Sequence, residues 1–336
     1  MDPRINLFKS VIIDEIHKLK NKNSIRAKIC IKITKNKQYI IGLTGTPVVN
    51  LPIDLFSQLA IIFKLQHFGG ANGFTERYCE GGRGKANLKE LNYLMNMNCY
   101  FMRKKEDVLK DLPPLSRQTL ICSITNQPEF DRVKNDFQAF LKSSDLTDAE
   151  IKKKVNGQVI VQITMLLQLS AIGKIEAAKE YIDEITGSGQ KIVVFCKHKA
   201  VVDLLKKEYP KAVTVTGQDN EFQKQAAVDS FQKNENTNII ILNHKAGGVG
   251  ITLTASSEVL MLELPWTQAD CEQCEARCHR MGQPSNVRAT YLLGDNTLDQ
   301  WLYDIIQEKK AIANAVTGTE DTIPVSILNR VMDLFK

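Results

Sequence analysis

The sequence predicts an α/β protein made of two lobes, each holding a parallel sheet. Apolar runs of strand length alternate with helix-spaced segments, and those runs end in polar loops. Length agrees, because 336 residues can bury two cores. A composition of 43% hydrophobic and 24% charged residues is that of a globular chain.

In the first region, residues 10–14 (SVIID) and 38–47 (QYIIGLTGTP) are read as buried parallel strands ending in polar loops. Residues 23–35 between them have helical spacing. Residues 50–63 open on an Asn cap and continue as a helix. The glycine-rich stretch 69–87 is expected to be loop, and LKELNYLMNMNCYFM restores a helix. KDLPPLSRQ (110–118) marks a boundary, since paired prolines stop a helix.

The second region starts with helices over about 127–142, 147–170 and 174–186, then alternates cleanly. Strands are expected at 191–196, 212–217, 238–243, 257–264 and 287–294. Helices fall between them, the last being DCEQCEARCHRMG. Ligands of such sheets sit beyond the carboxyl ends of the strands.

Charge permits a polyanionic partner without requiring one: 44 Lys+Arg against 38 Asp+Glu give +6. Eight cysteines, with no signal peptide and no apolar run near membrane-spanning length, predict reduced thiols in an intracellular protein and exclude a membrane span.

Asp14 and Glu15 end the first strand. Two carboxylates there can hold Mg²⁺ through water and orient or deprotonate an attacking water, though adjacent acids also occur on plain surfaces. Thr44 and Thr46 end the next strand, so the two loops should meet, with a threonine hydroxyl reaching His17 or Glu15. The alternative is a capped turn before a helix.

Gly247, Gly248 and Gly250 follow a third strand and let backbone N–H groups approach a phosphate; a ligand-free turn is the alternative. On a helical wheel of about 100° per residue, Cys271, Cys274 and Cys278 share one face. Gln273, Arg277 and Arg280 share the other, a cationic face suited to a γ-phosphate or simply to solvent. Zinc is not expected, because His279 points away from the cysteines. GGRGKA (81–86) and GKI (173–175) are not phosphate loops, lacking a preceding strand and a Ser or Thr after the lysine.

DEIHKLKN, LTGTP, AGGVGITLT and QCEARCHRMGQ stand in the order of the later motifs of superfamily-two helicases. The chain resembles the Swi/Snf helicase-like ATPases, especially their annealing-helicase, fork-remodelling branch. FMRKKEDVLKDLPPLSRQ resembles that family's bridge between lobes, and QEKKAIANAVTG its closing helix.

The resemblance implies two RecA-like lobes, ATP and Mg²⁺ as cofactors, and translocation on double-stranded or branched DNA. It gives Asp14 the metal, Glu15 the water, and His17, Thr44 and Thr46 the relay of nucleotide state. Gly248 and Gly250 would line the cleft, with Gln273 nearby, and Arg277 and Arg280 would be arginine fingers. Thr216, Asn243 and Lys245 are the candidate DNA contacts.

Three departures stand out. Asn243-His244 replaces the usual Ser/Thr, Thr267 follows ELPW in place of Asn-Pro, and no G-x-x-x-x-G-K-[ST] occurs. The first lobe (1–115) is therefore expected to be incomplete at its N-terminus, before a second lobe (116–318) and a tail helix (319–336). A separate polypeptide would supply the phosphate loop, or the sequence is cut from a longer chain that carries it. A non-catalytic remnant and a restriction-system helicase subunit remain alternatives.

Overall fold

The computed structural model describes residues 3–48, 51–82, 84–103, 105–143, 149–244 and 250–317. They form two compact units. One holds residues 3–103 with 267–269 and 306–317, the other residues 105–266 and 270–305.

In the first unit, β1 (Ser10–Ile13) and β2 (Tyr39–Gly42) pair in parallel, Ser10 opposite Tyr39 and Ile13 opposite Gly42. A 3-10 turn (Ile16–Leu19) and α1 (Ile25–Thr34) connect them. Ser24 starts α1, its hydroxyl accepting the Ala27 N–H at 3.2 Å. Side chains alternate across a strand, so Val11, Ile13 and Ile40 share one face, where Ile13 packs with Ile16, Leu19, Ala27 and Ile61. A Cβ on Gly42 would lie 2.7 Å from Ile16 Cδ1, so this strand end needs glycine where Ile16 crosses it.

The opposite face carries Ile12, Tyr39 and Ile41, which are 65%, 59% and 50% exposed. The strands are parallel as the sequence predicts, but they are not buried. Among the described residues only one face of this pair is covered, whereas parallel sheets are normally covered on both.

Two further expectations are corrected here. α2 (Asp54–Ile61) starts after Pro52 and not on Asn50, which lies outside the described residues. The glycine-rich stretch is largely helix: α3 (Gly70–Cys79) follows a 3-10 turn (Leu65–Phe68). Packing overrides propensity there. Phe74, Tyr78 and Cys79 are buried with Leu55, Phe68 and, from α4 (Leu88–Asn98), Leu91. The Phe74 and Tyr78 rings lie 5.4 Å apart. Gly69 turns the chain into α3 at φ 84°, a left-handed angle that glycine tolerates.

The second unit opens with α5 (Lys105–Val108) and β3 (Leu115–Cys122). Then come α6 (Gln127–Ser143), α7 (Ala149–Gly173) and α8 (Ile175–Gly187). The alternating series is β4 (Ile192–Cys196), α9 (Lys199–Glu208), β5 (Val213–Val215), α10 (Glu221–Lys233) and β6 (Ile239–Asn243). It closes with β7 (Glu258–Met261), α11 (Gln268–Glu275), β8 (Val287–Gly294) and α12 (Leu298–Thr317). Six parallel strands run in the order β3-β8-β7-β4-β6-β5. Ile192, Val194, Ile241 and Leu260 pack with Ile182 and Ile185 of α8 and Val201 and Leu205 of α9.

β3 was not expected. Half of its run is polar and it lies at the sheet edge, where no apolar pattern is demanded. α11 also ends at Glu275, seven residues before the helix predicted through Gly282. The Cys278 and His279 N–H groups both bond to Glu275 O, at 3.1 and 2.9 Å, and the chain turns.

Lys174, from the rejected GKI, is fully buried, and its ammonium donates to Leu262 O, Leu292 O and Asp299 Oδ2 at 2.6–2.7 Å. That amine is committed to holding strands and cannot meet a phosphate. No described helix is long and apolar enough to cross a membrane.

Candidate functional site

In the first unit the carboxyl ends of β1 and β2 gather the predicted residues. Ile16 N–H donates to Leu43 O at 3.0 Å, fastening one loop to the other. His17 Nδ1 then lies 2.8 Å from Thr44 Oγ1 and 3.1 Å from Glu15 Oε2. A protonated Nδ1 donates to the carboxylate, and an unprotonated one accepts the Thr44 hydroxyl. The ring therefore touches both loops. Thr46 joins through its N–H, which donates to Thr44 Oγ1 at 3.1 Å.

Glu15 sits at φ 52°, ψ 45°, a left-handed conformation costly for a residue with a Cβ. Its N–H donates to Asp14 Oδ1 at 2.9 Å, and the Asp14 carboxylate is exposed. The exposed Asp14 carboxylate is a hard oxygen donor, the kind that suits Mg²⁺. The residues present fit such an ion.

The second unit fixes the arginine segment differently from the sequence expectation. With α11 ending at Glu275, Arg277 and Arg280 leave the helix and lie in the turn that follows. The predicted cationic helix face with Gln273 is corrected accordingly: Arg277 is buried, whereas Gln273 and Arg280 are half-buried. Arg277 O accepts the Leu253 N–H at 2.8 Å, and Arg280 Nη1 donates to Ile251 O at 3.1 Å. The loop after Gly250 is thereby tied to the arginine turn. Gly250 is exposed at φ 63°, while Lys245 and Gly248 lie outside the described residues, as does the tail 319–336.

Sequence reasoning missed what holds this turn. Glu275 is 1% exposed and receives Arg117 Nε and Nη2 at 2.7 and 2.6 Å, a bidentate pair, with the Tyr291 hydroxyl at 2.6 Å. His279 Nε2 donates to Pro113 O at 2.8 Å, and burial lowers its pKa despite that bond. Lys105 Nζ donates to His279 O at 3.2 Å; desolvation, and then the Arg280 charge, lower its pKa. The signal was an acid inside QCEARC, on the cysteine side of the wheel. Cys271, Cys274 and Cys278 are buried there, and desolvation pushes each thiol well above its usual range.

The central strands also end in a polar knot. Glu263 accepts the Lys197 and His198 N–H groups at 2.7 and 2.8 Å and the His198 ring. Burial raises the Glu263 pKa, and these bonds more than offset it. Asn243 Nδ2 donates to Lys197 O at 2.6 Å, and Lys197 Nζ stands 3.9 Å from the half-buried Trp266 ring. Thr216 is drawn into a turn, its N–H and hydroxyl both donating to Asp219 Oδ2.

Comparison with known proteins matches residues 3–172, just over half the chain, to the SNF2-related domain. The chain belongs to the SNF2-related family. Residues 173–282 of this SNF2-related chain match the helicase conserved C-terminal domain. It is 30% identical over 334 residues to human DNA annealing helicase and endonuclease ZRANB3, covering 94% of this chain and 30% of that protein. It is 29% identical over 328 residues to a Caenorhabditis elegans homolog of SWI/SNF-related matrix-associated actin-dependent regulator of chromatin subfamily A-like protein 1, covering 94% and 46%. The chain thus spans less than half of either relative.

Two solved structures share the fold. The C-terminal part of the Fun30 ATPase domain superposes with TM-score 0.52 at 17% identity, covering 67% of this chain and 98% of that one. The Sulfolobus solfataricus SWI2/SNF2 ATPase core in complex with dsDNA gives 0.50 at 20%, covering 92% and 69%. The architecture is that of the RecA-like lobes of SNF2 ATPase cores.

Proposed function

We propose that the chain is the motor part of an ATP-dependent DNA translocase of Swi/Snf type, acting inside the cell on double-stranded or branched DNA. The observation that carries this is the Glu15–His17–Thr44 chain of contacts at the ends of two parallel strands. His17 and Thr44 lie 27 residues apart in the chain. Asp14 would hold Mg²⁺ through water, and that ion would neutralise phosphate charge when ATP is bound. Glu15 would orient and take a proton from water, while His17 and Thr44 hold its carboxylate in place. Arg277 and Arg280 are given the part of arginine fingers by family resemblance, and Gly248, Gly250 and Gln273 that of cleft residues. Thr216, Asn243 and Lys245 remain candidate phosphate contacts.

A phosphate loop would come from a segment outside this sequence, on the same or another polypeptide, completing the first lobe (1–115), beside the second lobe (116–318) and tail (319–336). The uncovered apolar face of β1 and β2 supports this, because a parallel pair bare on one side is short of partners. The purified 336-residue chain should hydrolyse ATP negligibly with or without DNA. Co-purification with a polypeptide bearing the phosphate-loop segment should restore DNA-stimulated turnover, and Glu15→Gln should abolish that turnover while sparing DNA binding. Full turnover by the chain alone, or by the Glu15→Gln complex, refutes the assignment.

A further inference from the structure

The two edges of the six-stranded sheet differ. β5, at one end of the strand order, is three residues long and finishes on the buried Val215. β3, at the other end, runs for eight residues in unbroken register with β8, from Leu115 opposite Val287 to Cys122 opposite Gly294. Every residue from Ser116 to Ile121 is exposed. Proteins commonly guard such an edge with a lysine, a proline, a bulge or a covering element. β3 has none of the first three, and its exposure shows that no described residue supplies the fourth.

The ladder determines which backbone groups are left over. Val287 N–H donates to Pro114 O and Asp295 N–H to Cys122 O, at 3.0 and 2.7 Å, so the even-numbered residues of β3 face β8. Alternate residues of a strand bond to opposite sides, so Leu115, Arg117, Thr119 and Ile121 turn their N–H and C=O groups outward. Among the described residues these groups have no partner. Donors and acceptors repeating every second residue match the backbone of another extended polypeptide.

A second copy of the same strand fits in antiparallel register. A two-fold axis at Gln118 sets Leu115 against the second copy's Ile121, and Arg117 against its Thr119. Outward groups then meet outward groups, and an apolar cross-strand pair forms on each side of the axis. No like charges meet, because the Arg117 guanidinium is held by Glu275 and faces a threonine.

We propose that β3 is a self-association edge, at which two copies of the chain pair antiparallel about Gln118 and join their six-stranded sheets into one. The short, buried β5 closes both ends of the joined sheet, so association stops at two copies. A contact one strand wide is small against the ~1,200–2,000 Å² of a stable interface, so the pairing is weak and depends on concentration.

The test is sedimentation equilibrium of the full 336-residue chain over a concentration series, without nucleotide or DNA. The wild type should be in monomer–dimer equilibrium. Thr119→Pro removes an outward N–H and leaves the β8 ladder intact, so it should raise the dissociation constant by about tenfold or more with an unchanged far-UV circular dichroism spectrum. Ile12→Ser/Ile41→Ser removes the exposed apolar surface of the first unit and should leave the constant as it is. Gln118→Cys should form an interchain disulfide on oxidation, because a non-hydrogen-bonded antiparallel pair brings its Cα atoms to about 4.5 Å. Ser116→Cys, which would face the second copy's Leu120, should not. A wild type that is monomeric at every concentration overturns the proposal. So do a dimer indifferent to Thr119→Pro, a dimer lost equally in Ile12→Ser/Ile41→Ser, and cross-linking no greater with Gln118→Cys than with Ser116→Cys. Neither ATP nor DNA enters these measurements, so their outcome is independent of the translocase reading.

Discussion

Removing either half of the Arg117–Glu275 pair should destabilise the second unit unequally. In Glu275→Ala the guanidinium, 31% exposed in its side chain, can turn to water, and the chief loss is the buried Tyr291 hydroxyl left without its acceptor. That costs about 1–3 kcal/mol. In Arg117→Ala the carboxylate stays at 1% exposure with one neutral donor in place of two charged ones. Breaking a buried pair this way costs about 3–5 kcal/mol. For a unit of this size each kcal/mol moves Tm by about 2–4 °C, so Arg117→Ala should lower it by roughly 6–20 °C.

The sign with pH separates the two variants further. An orphaned buried carboxylate has its folded pKa raised above the unfolded value, so its penalty shrinks as pH falls and the proton is taken up. Urea denaturation of both single variants and the double variant, at neutral and mildly acidic pH, measures all of this. The double should lose less than the sum of the singles, by at least about 1 kcal/mol. Additive losses, or Glu275→Ala proving the worse variant, would refute the view that Arg117 neutralises a buried charge.

Other outcomes follow from single features. Burial holds the His244 imidazole down to about 4, against 6.5 in an open chain. The unfolded state therefore binds a proton first, and stability should fall by about 3 kcal/mol as pH drops from 6.5 to 4. His244→Gln should flatten that slope in pH-dependent urea melts. Gly69→Ala forces a Cβ into a left-handed position 3.2 Å from Gly73 Cα, and should cost about 1–2 kcal/mol by denaturation. Ile12→Ser/Ile41→Ser alters only exposed side chains and should move the midpoint by no more than about 0.5 kcal/mol. The same variant should lose assembly with the phosphate-loop polypeptide in co-purification.

What the sequence made legible was what repeats. The apolar runs at 191–196, 238–243 and 287–294 are buried strands, because a central parallel strand must be apolar on both faces. The same rule misled at β1 and β2, whose runs look identical but have one face bare. α3 was hidden by three glycines, since its stability comes from Phe74 and Tyr78 packing on distant residues and not from propensity. In the candidate site, adjacent strand ends made the meeting of His17 and Thr44 foreseeable. The arginine turn was not, because a helical wheel assumes the helix continues, and the tightening around Glu275 O depends on partners as remote as Arg117.

The pairing of β3 with β8 has a consequence for the order in which the protein can be made. Gln118 meets Thr290 across 172 residues of chain, so among the described residues the first strand of the sheet pairs only with the last. At about 5–20 residues per second, a ribosome leaves β3 waiting roughly ten to thirty seconds with its backbone donors and acceptors unpaired. This edge is therefore where a nascent or truncated chain is most exposed to chaperones and to other copies of itself, and it closes only when β8 has been made.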